Sequence, residues 1–176
     1  MKRKLIAGIA VLGILLLLAA AGLTVWQKYE IKQEEQYAAA ALQALLSERS
    51  TGLLVEQSGT MPRAQIAGRD YIGLLELPER GIALAVAADA TTDGRPACTD
   101  GSLYDGTLVL RGDGSFAFTA LLDENEPVLF TDVTGQCFDF TVRSILRSAE
   151  PAPQSAPLTL VYPKDGKYLI VSCDTQ

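Results

Sequence analysis

Residues 128–142 read VLFTDVTGQCFDFTV, two short apolar runs about a Thr134-Gly135 turn. In the second run Phe138, Phe140 and Val142 alternate with Cys137, Asp139 and Thr141. Successive side chains on a strand point to opposite faces, so a period of two predicts one buried and one wet face. The stretch reads as a hairpin with strands at Val128–Thr131 and Cys137–Leu146.

The same texture continues on both sides. Tyr71–Leu77, Gly81–Val86, Thr107–Arg111, Leu158–Tyr162 and Tyr168–Cys173 are further candidate strands. Pro78, Asp93-Gly94, Asp105-Gly106, Asp113-Gly114 and Asp165-Gly166 supply turn signals between them. Six or more short strands in residues 70–176 point to a closed barrel or a sandwich. Closure is favoured because it leaves no exposed edge. The expected fold class is therefore mainly β, a closed β-barrel.

Upstream the texture changes. Residues 51–69 carry Gly52, Gly59, Pro62 and Gly68 without sustained periodicity and read as a linker, with one short strand at Gly52–Gln57. Residues 27–50 are rich in the helix formers Ala, Gln, Glu and Leu. Ala38 to Ala41 with Leu42, Leu45 and Leu46 give that helix an apolar stripe, and a helical stalk is expected. Residues 5–26 hold no charge and, as a helix, span roughly 33 Å, the thickness of a bilayer core. Lys2, Arg3 and Lys4 precede them and Trp26 closes the far end. The expected arrangement is a cytoplasmic basic tail at 1–4 and a single-pass transmembrane helix at 5–26, with the remainder outside the cell. The competing reading, a cleaved signal peptide, has an apolar region of roughly 7–15 residues.

The chain has 15 Lys plus Arg against 21 Asp plus Glu, a net charge of −6. Without its three leading basic residues the remainder stands at −9. That sign argues against nucleic acid as a partner. The sequence contains no His, so no Ser-His-Asp triad or Cys-His dyad can be built within it. Asp89, Asp93, Asp100 and Asp105 lack the spacing of an EF-hand loop and read as a solvated acidic stretch, and no cofactor or metal is expected.

Five segments, in order, resemble those of a sortase, class B-like sortases of Gram-positive bacteria in particular. Tyr71-Ile72-Gly73-Leu74-Leu75-Glu76-Leu77-Pro78 is similar to the family's Y-I-G-x-L-x-I-P strand, and Gly81-Ile82-Ala83-Leu84-Ala85-Val86 to G-L-x-L-P-V. Pro96-Ala97-Cys98 with Gly101-Ser102 resembles P-C-x-x-x-G-S with one inserted residue. Val128-Leu129-Phe130-Thr131-Asp132 with Gly135 resembles V-x-F-T-D-x-x-G, and Leu158-Thr159-Leu160 opens the strand that reads L-T-L-x-T-C. The resemblance covers residues 70–176 and implies a sortase-like β-barrel behind the anchor and stalk.

Sortases are cysteine transpeptidases, so the resemblance also implies a His, a nucleophilic Cys and an Arg. Here the family's V-I-A-G-H aligns with Val109-Leu110-Arg111-Gly112-Asp113, placing Asp113 at the His. T-L-x-T-C aligns with Thr159-Leu160-Val161-Tyr162-Pro163, placing Pro163 at the nucleophile. Counting back from Cys173 puts Tyr168 at the Arg. Pro offers neither a side-chain nucleophile nor an N–H, and a carboxylate does not replace an imidazole that cycles near neutral pH. Lys164 and Lys167 stand near the Arg position. Ser148–Pro157, where the family places a substrate-contacting loop, is short and Pro/Ala-rich.

Three cysteines allow three pairings, and a Cys98–Cys173 disulfide is the working expectation, with Cys137 as the odd thiol on the polar face of its strand. Arg111-Gly112-Asp113 spells a receptor-binding tripeptide but reads as a strand end running into a turn. The expected function is that of a membrane-anchored pseudo-sortase on the cell surface. It would bind an active sortase, a pilin or a sorting-signal peptide, in a regulatory or scaffolding role. The rival is an active transpeptidase with an unrecognised nucleophile, and a purely structural module is the third reading.

Overall fold

The computed structural model describes residues 36–44, 46, 59–90, 94–151 and 156–176. The expected membrane span at 5–26 and the short strand at Gly52–Gln57 lie outside them. Among the described residues no helix is long and apolar enough to cross a membrane.

Nine strands form one sheet: β1 (Ala64–Ile66), β2 (Arg69–Leu77), β3 (Ile82–Ala87), β4 (Ala97–Ser102), β5 (Thr107–Arg111), β6 (Pro127–Asp132), β7 (Cys137–Ser148), β8 (Leu158–Lys164) and β9 (Lys167–Thr175). Their order is β1-β2-β3-β4-β5-β8-β9-β7-β6, and β6 pairs back onto β2, so eight strands close into a barrel with β1 appended to β2. The β3–β4 and β5–β8 pairings are parallel and the rest antiparallel. The expected closed barrel is therefore present.

The barrel interior is packed with Ile72, Leu75, Leu77, Val86, Leu108, Leu110, Val128, Phe130, Phe140, Val142, Leu158, Leu160 and Val171. Phe116 and Phe118 join them from a 3-10 helix at Gly114–Leu121. A second cluster lies on the outer face of β2 and β3. There Ala38, Ala39 and Leu42 of helix α1 (residues 36–44) pack with Tyr71, Leu74, Ala85 and Ala87. Covered on both faces, β2 and β3 carry nearly continuous apolar runs instead of alternation. The apolar stripe of 38–42 thus faces a sheet.

Three expectations change. β4 was not expected as a strand, because Ala97-Cys98-Thr99-Asp100-Gly101-Ser102 lacks the apolar signal. The sheet also begins at Ala64, within the stretch expected as linker. The expected Cys98–Cys173 disulfide is absent, and all three cysteines are free thiols. Between Cys98 on β4 and Cys173 on β9 stand β5 and β8, roughly 14 Å of sheet at ~4.8 Å per strand. A disulfide needs Cα atoms within about 7 Å.

Two polar clusters fix the turns. Asp132, fully buried at the end of β6, accepts from Tyr104 Oη at 2.5 Å and from Thr134 N, Thr134 Oγ1 and Gln136 N at 2.8, 2.7 and 3.0 Å. Arg80, in the turn after β2, grips buried Glu126 through Nε–Oε1 at 2.5 Å and Nη2–Oε2 at 2.7 Å, and Nη2 also donates to Leu121 O. Asp123 N donates to Glu126 Oε2 at 3.1 Å.

The Arg80 hydrogen bonds hold the Glu126 carboxyl below the ordinary Glu value of 4.5. A carboxyl depressed in the folded state contributes stability above its unfolded pKa and loses it as pH falls through the folded value. Glu126→Gln is therefore expected to flatten the loss of stability below about pH 4.5, read by urea unfolding across an acid series. Identical acid slopes in variant and parent would refute this.

Candidate functional site

The site is built by the parallel pairing of β5 with β8 and the hairpin of β8 with β9. Arg111 ends β5 beside Val161, and Gly112 N donates to Val161 O at 3.3 Å. The chain then turns: Asp113 N donates to Gly94 O at 2.9 Å, and Ser115 Oγ reaches the same carbonyl at 3.3 Å. Gly112 is required here, since a Cβ would meet the Phe116 ring at 2.8 Å. Asp165 and Gly166 both have positive φ, 51° and 72°, as a tight hairpin turn demands. That turn sets Pro163 opposite Tyr168.

Asp113, distant in sequence from the hairpin that carries Pro163 and Tyr168, is thereby brought to the same end of the barrel. Arg111 links them. Its guanidinium lies 5.9 Å from the centroid of the Tyr168 ring, and its Nε is 3.8 Å from Asp113 Oδ1. A guanidinium over a phenol face is a cation–π contact. In the sequence Arg111 reads as a strand end, a motif position and part of a tripeptide, with no role in the site, and Lys164 and Lys167 stand out for positive charge. Those lysines pair with each other at the hairpin tip. The usable signal was the parallel β5–β8 register, which sequence alone does not give.

Arg111 and Asp113 border a cavity of about 370 Å³ together with Ala97, Thr99, Gly94 and the buried Arg95. The half-exposed Arg111 guanidinium suits a carboxylate or a peptide carbonyl. The cavity lining contains neither thiol nor imidazole.

The thiols lie elsewhere. Cys98, between Ala97 and Thr99, packs against the barrel core and borders a second cavity of about 550 Å³ with Arg63 and Ser102. Burial raises its pKa. Cys137 is exposed near Thr131 Oγ1 and Asp139 Oδ1, and its pKa is also raised, chiefly by desolvation. Cys173 sits in the core, where burial pushes its pKa up to about 12. The thiolate is the nucleophile, so each shift works against acyl transfer at neutral pH.

No protein-family model and no curated protein matches the sequence. Solved structures do match by shape. The sortase D5 transpeptidase of Clostridium perfringens superposes with a TM-score of 0.56 at 14% identity, covering 81% of this chain and 98% of that one. Sortase A of Corynebacterium diphtheriae gives 0.52 at 16%, covering 86% and 91%. Sortase C-3 of Streptococcus pneumoniae gives 0.51 at 19%, covering 84% of each chain. These neighbours are sortases of classes D, A and C. With eight strands closed in this order and shape, the chain has the fold of the sortases.

Proposed function

We propose that this chain is a cell-surface module of sortase fold, class B-like in its strand motifs, that binds a peptide and forms no acyl-enzyme. It is held by a single-pass anchor at residues 5–26, and its partner is a sorting-signal peptide or the sortase and pilin machinery that handles one. One observation supports the reading: Asp113, Pro163 and Tyr168, which the resemblance aligns with catalytic positions, stand with Arg111 at one end of the β5–β8–β9 pairings, and none of the four is a nucleophile. Arg111 offers a guanidinium to a carbonyl or carboxylate, but charge without a nucleophile transfers no acyl group. The chain's three thiols are raised in pKa, with no imidazole anywhere in the sequence to draw off their proton.

The full chain in detergent, incubated with sorting-signal peptide and an amine acceptor, is expected to show no thioester adduct by intact mass and no transpeptidation product. It is expected to bind the peptide, and Arg111→Ala to weaken that binding by about tenfold, the effect of losing one charge-assisted contact. An adduct that disappears on Cys98→Ala, Cys137→Ala or Cys173→Ala would replace this reading with that of an active transpeptidase. Cys98 is the first thiol to test, because it borders a cavity.

A further inference from the structure

β7 is twelve residues long, and β6 accompanies only its first part. Their register runs from Thr131–Cys137 to Pro127–Thr141. The ladder ends where Asn125 N donates to Val142 O at 2.7 Å and Val142 N donates to Glu126 O at 2.9 Å. There Asn125 adopts a left-handed φ of 70° and Glu126 is gripped by Arg80, which together lead the chain off the sheet. Arg143–Ser148 continue with β9 on one side, from Ser144–Ser172 to Ser148–Tyr168. Among the described residues no strand pairs with their other side.

The pattern of the edge is specific. Val142 bonds toward β6, and the register shift between Val142 and Ser144 marks a bulge at Arg143. Beyond it Ser144, Leu146 and Ser148 bond toward β9, so strand alternation turns the N–H and C=O of Ile145 and Arg147 outward. Leu146 is 60% exposed. Arg143 already holds a carboxylate, Asp174 Oδ1 at 3.4 Å. Arg147 is exposed and makes no ion pair among the described residues.

An edge of this kind is a template for an added strand. A second copy fits it badly: antiparallel self-pairing about Ile145 sets Arg143 of each copy against Arg147 of the other, and like charges directly opposite repel. An acidic strand fits it well. Asp123 and Glu124 flank the Arg143 end, beside Asn125, and exposed Glu150 follows Ser148, so an incoming carboxylate belongs between these ends, at Arg147. We infer that the Arg143–Ser148 edge of β7 docks an extended acidic peptide. The peptide backbone bonds Ile145 and Arg147, one of its carboxylates meets the Arg147 guanidinium, and an apolar side chain covers Leu146. This holds whether or not the Asp113–Tyr168 end of the barrel performs chemistry.

The test uses the full chain in detergent and a fluorescein-labelled peptide of alternating Glu and Val, read by anisotropy. Arg147→Glu is expected to weaken binding by about tenfold or more and Arg147→Lys by less than about threefold. A Lys/Val peptide is expected to bind Arg147→Glu better than the parent. Arg147→Pro removes an outward N–H at a position where an edge strand tolerates Pro, and should weaken the Glu/Val probe comparably. Hydrogen exchange at Ile145 and Arg147 should slow when the probe is bound. Equal binding to the parent and to Arg147→Glu, or none at about 1 mM peptide, would overturn the inference. So would a dimer in sedimentation that Arg147→Glu strengthens, because a second copy would then occupy the edge.

Discussion

Asp132→Ala is expected to lower the unfolding free energy by about 3–5 kcal/mol, among the largest losses a single substitution gives. At the few degrees per kcal/mol usual for a domain of this size, the melting point should fall by roughly 10 °C or more. The carboxylate is fully buried and accepts four hydrogen bonds, three of them at Oδ1 from the turn that joins β6 to β7. Alanine leaves the N–H groups of Thr134 and Gln136 and the Tyr104 hydroxyl without their acceptor at a turn whose inner side is buried. Asp132→Asn should cost less, since an amide keeps one acceptor oxygen for the turn and its NH₂ can donate to the Tyr104 hydroxyl. Tyr104→Phe should cost about 1.5 kcal/mol, one hydrogen bond to a charged acceptor. Burial and the neighbouring Asp132 push the Tyr104 pKa up to about 12. A group raised in the folded state contributes stability below its unfolded pKa of 10 and loses it as pH rises toward 12. Tyr104→Phe should therefore lose less stability across that alkaline range than the parent does. Chemical unfolding read by Tyr fluorescence and circular dichroism checks all three variants; an Asp132→Ala transition indistinguishable from the parent's would refute the buried-network account.

The stretches that sequence reading placed well are those whose burial leaves a period. Phe138, Phe140 and Val142 alternate because β7 has one face in the core, and the strand starts where expected, at Cys137. β2 and β3 were legible as unbroken apolar runs, though the reason, α1 on their outer face, was not. β4 escaped because its interior is exposed and a bulge between Cys98 and Asp100 breaks its phase. The 3-10 helix at Gly114–Leu121 escaped as well: Phe116 and Phe118 read as a chain passing between strands, and only the closed barrel gives them an interior to fill. The site shows the same division. Asp113, Pro163 and Tyr168 were aligned one by one with family motifs, and the β5–β8–β9 pairings set them at one end of the barrel. Arg111, which touches two of them, was invisible because its role depends on a parallel pairing between strands forty-six residues apart. The cysteine pairing failed for a related reason: nearness to the barrel says nothing of how many strands lie between.

The tripeptide Tyr71-Ile72-Gly73 and the segment Thr131-Asp132, separate motifs in the sequence, are neighbours at the seam that closes the barrel, with Gly73 in register with Asp132. A Cβ at Gly73 would overlap Thr131 O, come within 2.8 Å of the Phe130 ring and within 2.9 Å of Asp132 Cα. Two of those atoms are backbone, held from the other side by β7 and by the Asp132 turn, so they have little room to retreat. Gly73→Ala is expected to destabilise by about 2–4 kcal/mol, an overpacking cost that exceeds the ~0.4–1 kcal/mol usually gained by stiffening the unfolded chain. Gly114→Ala is the control. Nothing lies within 4 Å of its Cβ position and its φ is not positive, so only the unfolded-chain gain should remain. Combining Gly73→Ala with Asp132→Ala should cost about 1 kcal/mol less than the two separately, because a β6 end freed from its turn can move away from the new methyl. The cycle separates tight seam contact from a general intolerance of β2. Strict additivity would mean that the two motifs stabilise the barrel independently, and a Gly73→Ala variant as stable as Gly114→Ala would mean that β2 and β6 do not approach so closely.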